Sequence, residues 1–228
     1  MAKKPLICIY TDDPMCSISS SDAVYEVLNK LDKYQIFMCG PDSYPKLSFE
    51  FALKKADCIV FPGGDGDSDQ FYNTLKKYKK DVQKFIENGG KYLGICMGSY
   101  FAEKYYFELL DKNIGCSQYI KRPNTTVNKT TATMIKIKWK DETRDIYFHD
   151  GSAFYFINDN FTPCVVYAAY NNGDIAAMIQ PYGKGKIALI GPHPEAQKWW
   201  YYVQPKIKDG WRTGINHDLL VEIVKDLI

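Results

Sequence analysis

The sequence predicts an α/β fold: an open, mostly parallel sheet with helices on both faces and an antiparallel β extension in the second half. Three observations carry this expectation. Short continuous apolar runs such as Leu6-Ile7-Cys8-Ile9-Tyr10 suit parallel strands buried on both faces. Between such runs, as far as about residue 110, lie segments whose apolar residues recur at helical spacing. From about Gly115 the rhythm changes to strand signals joined by turns, with no strong helix between them.

Leu6 to Tyr10 is the first strand. Ser20, Ser21 or Asp22 can cap the helix that follows, whose Val24, Val27, Leu28 and Leu31 share one face. Gln35 to Cys39 reads as a second strand ended by Gly40-Pro41, and Leu47 to Lys54 as a short amphipathic helix. Cys58 to Phe61 is a third strand that stops at Pro62-Gly63-Gly64. A helix carrying Val82, Phe85 and Ile86 ends at Asn88-Gly89-Gly90, because glycine accepts the left-handed conformation that closes a helix. Tyr92 to Ile95 is the fourth strand. In the second half Thr131 to Trp139, Asp145 to Phe148, Cys164 to Tyr170 and Ala176 to Gln180 read as strands. A tight turn at Tyr182-Gly183-Lys184-Gly185-Lys186 makes 176–191 a hairpin that ends on the apolar Ala188 to Ile190. Asp218 to Ile228 is an amphipathic helix.

A chain of 228 residues can bury one full core, and no composition break divides it, so 1–228 is expected to be a single domain. Hydrophobic residues at 46% and charged residues at 25% are ordinary for a soluble globular protein. A net charge of +2 gives no basic footprint for nucleic acid, and no apolar run is long enough to span a bilayer. Seven cysteines, an odd number with no Cys-x-x-Cys pair, argue against a disulfide framework or a zinc site and for a reducing, cytoplasmic setting. The glycosylation-type tripeptides at 124–126, 128–130 and 160–162 read as chance matches without a secretory signal. No metal and no cofactor is expected.

The chemistry concentrates at three strand ends. The run Lys91 to Tyr100 is an apolar strand that ends on Cys96 between Gly94 and Gly98 and turns at once into a helix. That pattern is a nucleophile elbow, whose crowded turn demands small residues two before and two after the reactive side chain. The helix amino terminus beneath the thiol would favour the nucleophilic thiolate. In His193-Pro194-Glu195, residues two apart in an extended segment project together, and Pro194 holds His193 out of the helical conformation. A carboxylate there would fix the imidazole's tautomer and stabilise the imidazolium. Pro62-Gly63-Gly64 follows a buried strand, and glycines let backbone N–H groups approach a ligand. If that strand neighbours the elbow strand, the Gly64 and Met97 N–H groups could hold an oxyanion.

Other patterns read more plainly. Asp65 to Asp69 imitates a calcium loop but has Gln70 and Lys76 where Gly and Glu belong, so it is expected to be a solvated acidic loop. There is no P-loop and no Gly-x-Gly-x-x-Gly fingerprint. His149-Asp150-Gly151 suits a turn that could line a pocket, and His217 a structural role. Trp199, Trp200, Tyr201 and Tyr202 could cover the cleft, form an interface or pack in the core.

Gly94-x-Cys96-x-Gly98 and His193-x-Glu195 resemble the Cys-His-Glu triad of the class I glutamine amidotransferase-like superfamily. A closer resemblance is to the biotin–protein ligase amino-terminal-domain family. It rests on Phe61 to Asp65, on Asn88 to Phe101, and on Gly183-Lys184-Gly185 leading to Gly191-x-His193-Pro194-Glu195. The resemblance implies a flavodoxin-like sheet, Cys96, His193 and Glu195 as catalytic residues, and Gly63, Gly64, Met97 and Tyr100 as oxyanion or substrate-binding positions. The family module often precedes a ligase catalytic region, whose biotinoyl-adenylate motif this sequence lacks, so biotin ligation by the chain alone is not expected. Glutamine-using amidotransferases carry Gln four residues after the nucleophile, where this chain has Tyr100. The implied activity is a Cys-dependent hydrolysis of a small-molecule or peptide amide other than free glutamine. The alternatives are a non-catalytic binding or regulatory module, working as a homo-oligomer or with a separate partner protein, and a thiol stress protein in which Cys96 is oxidised.

Overall fold

The computed structural model describes residues 3–160 and 162–228. Eleven strands among these residues share one sheet. In chain order they are β1 (Leu6–Tyr10), β2 (Gln35–Cys39), β3 (Cys58–Phe61), β4 (Lys91–Ile95), β5 (Ile114–Gln118) and β6 (Thr133–Trp139). After them come β7 (Glu142–Phe148), β8 (Ser152–Phe156), β9 (Val165–Tyr170), β10 (Ile175–Tyr182) and β11 (Gly185–Ile190). The sheet order is β2-β1-β3-β4-β11-β10-β9-β6-β7, with β8 joined to β10 and β5 joined to β8. The first five in that order run parallel. From β11 onward neighbours are antiparallel, which is the predicted extension.

Helices cover both faces of the parallel part. Odd-numbered Ile7 and Ile9 of β1 pack with Val24, Val27 and Leu28 of α1 (Ile18–Asn29) and with the apolar stripe of α8 (His217–Leu227). Even-numbered Cys8 and Tyr10 pack with Phe49 and Ala52 of α2 (Phe49–Lys55), Leu75 of α3 (Ser68–Leu75), and Val82 and Ile86 of α4 (Lys79–Glu87). Central strands are therefore apolar at every position, whereas β6, with one solvated face, alternates. No helix among the described residues is long and apolar enough to cross a membrane.

The structure corrects several expectations. Ser17, not Ser20, Ser21 or Asp22, caps α1, its hydroxyl accepting from the Ser20 N–H. The helix starts earlier than the apolar pattern does because Ile18 points outward and is 48% exposed. The acidic stretch expected as a solvated loop contains the cap of α3, where the Asp67 carboxylate accepts from the Asp69 N–H at 2.9 Å. Only Leu75 of α3 is buried, so the helix carries no visible stripe. Strands β5 and β8 escaped prediction because neither repeats cleanly with period two; β5 reads Ile-Gly-Cys-Ser-Gln. The short helices α6 (Lys198–Tyr202) and α7 (Trp211–Gly214) fall in the segment between hairpin and last helix, which carried no predicted element. The tripeptide at 160–162 contains Phe161, which lies outside the described residues.

Candidate active site

Strand β4 is flanked by β3 and β11, both parallel to it, so three strand ends converge at one carboxyl edge. At that edge Cys96 adopts φ 49° and ψ −109° and then enters α5 (Met97–Tyr100). A positive φ on a non-glycine residue is strained and persists only where its surroundings hold it. Here the Cys96 N–H donates to the Ile190 carbonyl at 2.8 Å, and Ser99 Oγ donates to the Cys96 carbonyl at 2.6 Å. The flanking glycines are steric necessities. A Cβ at Gly94 would lie 2.5 Å from the Gly98 carbonyl oxygen, and one at Gly98 would lie 1.9 Å from the Phe61 carbonyl oxygen. The expected helix-dipole assistance is the part that weakens: α5 is a single turn and sums few peptide dipoles.

Positive charge comes instead from β11. Three residues beyond its last parallel pair, the His193 N–H donates to the Tyr147 carbonyl at 2.9 Å. The imidazole sits edge-on to Tyr147 and Trp200, with ring centroids 5.8 and 5.5 Å away. Its Nδ1 lies 2.8 Å from Glu195 Oε1, and the Glu195 side chain is fully buried. Burial is the largest influence on His193 and disfavours the imidazolium. The charges of Cys96 and Glu195, with the hydrogen bond to Glu195, outweigh it and push the pKa up to about 10. The Cys96 Sγ also donates to the His149 carbonyl at 3.5 Å.

Ser20 completes the network. Its hydroxyl donates to Glu195 Oε1 at 3.0 Å and accepts from the Gly63 N–H at 3.0 Å. One serine on α1 therefore ties the carboxylate to the loop after β3. Glu195 Oε2 has no hydrogen-bond partner. In the sequence Ser20 looked like a helix-cap residue, and its partner is 175 residues away, so no local signal could have revealed the role.

A cleft of about 250 Å³ opens over Cys96, with Gly64, Met97, Tyr100, Gln118, His149 and Asp150 in its wall. Gly64 packs so tightly that a Cβ would lie 1.7 Å from the Met15 carbonyl oxygen. Among the described residues no acceptor engages the Gly64 or Met97 N–H groups. Gly63 stands apart from the cleft. Its N–H belongs to Ser20, and a Cβ there would lie 2.5 Å from His193 Cε1, so it fits against the imidazole. Tyr100 donates its hydroxyl to the Asp150 carbonyl at 3.2 Å, and Asp150 makes a turn at φ 48°. The structure thus brings Cys96, His193 and Glu195 together, sets Gly64, Met97 and Tyr100 in the cleft, and adds His149 and Asp150 to its wall. Gln118, on the unpredicted β5, was missed altogether. The aromatic cluster divides: Trp200 and Tyr201 are buried, Trp200 against His193, while Trp199 and Tyr202 are about half exposed. His217 Nε2 lies 3.1 Å from the Ala196 carbonyl oxygen, as a structural role requires.

The family described as "Biotin-protein ligase, N terminal" matches residues 6–119. The biotin–protein ligase of Schizosaccharomyces pombe is 30% identical over 162 residues, covering 60% of this chain and 25% of that protein. The chain thus spans about a quarter of the length of the curated relative it matches. Among solved structures, a glutamine amidotransferase from Thermotoga maritima superposes with a TM-score of 0.61 at 12% identity, over 97% of this chain and 90% of that one. A putative GMP synthase component from Thermoplasma acidophilum gives 0.56 at 15% identity, over 86% and 87%. At such identities the likeness concerns the fold.

Proposed function

The chain belongs to the biotin–protein ligase amino-terminal family, and from that premise we propose that it is a cysteine-dependent hydrolase of an amide or related acyl bond. The observation that carries the reading is Cys96 on a strained turn beside a buried His193–Glu195 pair. An imidazolium next to a thiol favours the thiolate, which is the nucleophile. Cys96 Sγ would attack the acyl carbon, and the Gly64 and Met97 N–H groups would receive the oxyanion. His193, protonated at neutral pH, would give its proton to the leaving amine. The resulting thioester would then be opened by water, whose proton His193 takes back. Glu195 and Ser20 would keep the imidazole aimed throughout. The proposed substrate is a small-molecule or peptide amide. The seven cysteines are all unpaired, which supports a reducing, cytoplasmic setting.

Iodoacetamide labelling followed by peptide mass spectrometry tests the reading at about pH 6, where ordinary thiols are mostly protonated. Cys96 should label well ahead of the half-buried Cys116 and Cys164. Equal labelling of the three would end the nucleophile assignment. A second reading, a regulatory module without turnover, draws on Tyr100: its hydroxyl is spent on the Asp150 backbone instead of facing a substrate. That module would keep an unreactive Cys96, so the same labelling separates the two.

A further inference from the structure

We propose that the cleft over Cys96 selects amides bearing a positively charged amine or guanidinium and turns away those ending in a carboxylate. The inference rests on the hydrolase reading above and names its substrate class. Its basis is the charge in the cleft wall. The wall contains two carboxylates, Asp65 and Asp150, and no lysine or arginine. Burial raises the Asp150 carboxyl, and the Gln118 hydrogen bond, His149 and Lys121 pull it back; Lys121 is exposed and stands outside the wall. His149, in the cleft wall, is held toward its neutral form by burial and then by the charge of His193.

The acceptors are also fixed in place. Gln118 Nε2 donates to Asp150 Oδ2 at 2.9 Å, and Tyr100 anchors the Asp150 backbone. Gln118 Oε1 and Asp150 Oδ1 are left without hydrogen-bond partners. The Gly64 and Met97 N–H groups would be occupied by an acyl oxygen, and Ser68, Thr130 and His149 add only uncharged donors to the wall. A substrate carboxylate therefore finds no lysine or arginine in the wall and two like charges, whereas an ammonium finds the half-buried Asp150 and the exposed Asp65.

The test uses the full chain and three methanethiosulfonate reagents of similar size, ending in an ammonium, a sulfonate or a methyl group. In each case the Cys96 thiolate attacks the sulfenyl sulfur, forms a mixed disulfide and expels methanesulfinate, so the tail charge is the variable. Rates at Cys96, read by peptide mass spectrometry, are divided by each reagent's rate with 2-mercaptoethanol. The corrected ammonium-to-sulfonate ratio should be roughly ten or more. Asp150→Asn, which tolerates the positive φ, should lower that ratio several-fold, and the exposed Asp65→Asn should lower it less. A wild-type ratio near or below one overturns the proposal, as does a ratio that neither substitution changes. If the methyl reagent fails to single out Cys96 from Cys116 and Cys164, the hydrolase reading fails instead. Fast methyl labelling with a flat charge ratio sinks the cation selection alone.

Discussion

At the carboxyl edge of the sheet the chain concentrates strained backbone, sub-contact glycines and buried charge around a cleft of about 250 Å³. At the amino edge a larger cleft of about 890 Å³ is lined by Lys3, Lys4, Lys54, Lys84 and Lys91, together with Glu50, Asp57 and Asp81. Among the described residues the larger hollow has no cysteine and no buried ion pair in its wall. Preorganisation does not follow volume: the small cleft is where the fold spends stability to hold groups in place.

Substitutions at the two edges should therefore differ in kind. The largest effect is expected for Gly98→Ala, whose Cβ would meet the Phe61 backbone at 1.9 Å. Urea denaturation should register a loss of about 3 kcal/mol or more, or no folded protein. Gly89→Ala, at the amino edge, meets nothing within 4 Å and suffers only its φ of +112°, so about 1–2 kcal/mol is expected. Equal costs at the two sites would erase the contrast.

Next comes Glu195→Gln, which removes the charge that helps to hold the His193 proton. Cys96 labelling at about pH 6 should slow by roughly tenfold, while labelling of Cys164 stays unchanged. Ser20→Ala should cost about 1–2 kcal/mol by thermal denaturation, because Glu195 Oε1 and the Gly63 N–H each lose a partner. It should also shift the pH profile of Cys96 labelling, which simple packing damage would not do.

Titration gives a subtler contrast. His193 holds its proton more tightly in the folded chain than in the unfolded one, where imidazole titrates near pH 6.5. Its contribution to stability is complete below that value and fades as pH rises toward about 10. Denaturation midpoints measured from about pH 7 to 10 should fall less steeply in His193→Gln than in the wild type. The smallest effect is expected from Lys84→Ala at the amino edge, within about 0.5 kcal/mol in either direction, since the side chain is exposed.

What the sequence disclosed follows the same division between local and distant causes. The parallel strands were legible because burial on both faces forces unbroken apolar runs, and the elbow because Gly94 and Gly98 answer to contacts within a few residues or with the adjacent strand. His193 and Glu195 were legible as a pair because Pro194 leaves them extended. Ser20 and Gln118 were not, since each serves a partner that only the folded sheet supplies. Asp150 looked like a turn and is one; its second role, in the cleft wall, depends on Gln118 and Tyr100 arriving from other elements.

The pairing of β4 with β11 also sets a schedule. The elbow at Cys96 and the strand that delivers His193 are neighbours in space but lie on opposite sides of the whole antiparallel extension. During synthesis the thiol leaves the ribosome long before its base exists. Until β11 docks, the Cys96 N–H lacks its Ile190 acceptor and only the local Ser99 contact holds the strained turn. On the proposed reading, a nascent or truncated chain would carry the cysteine unarmed, since β11 pairing is among the most long-range contacts of the fold.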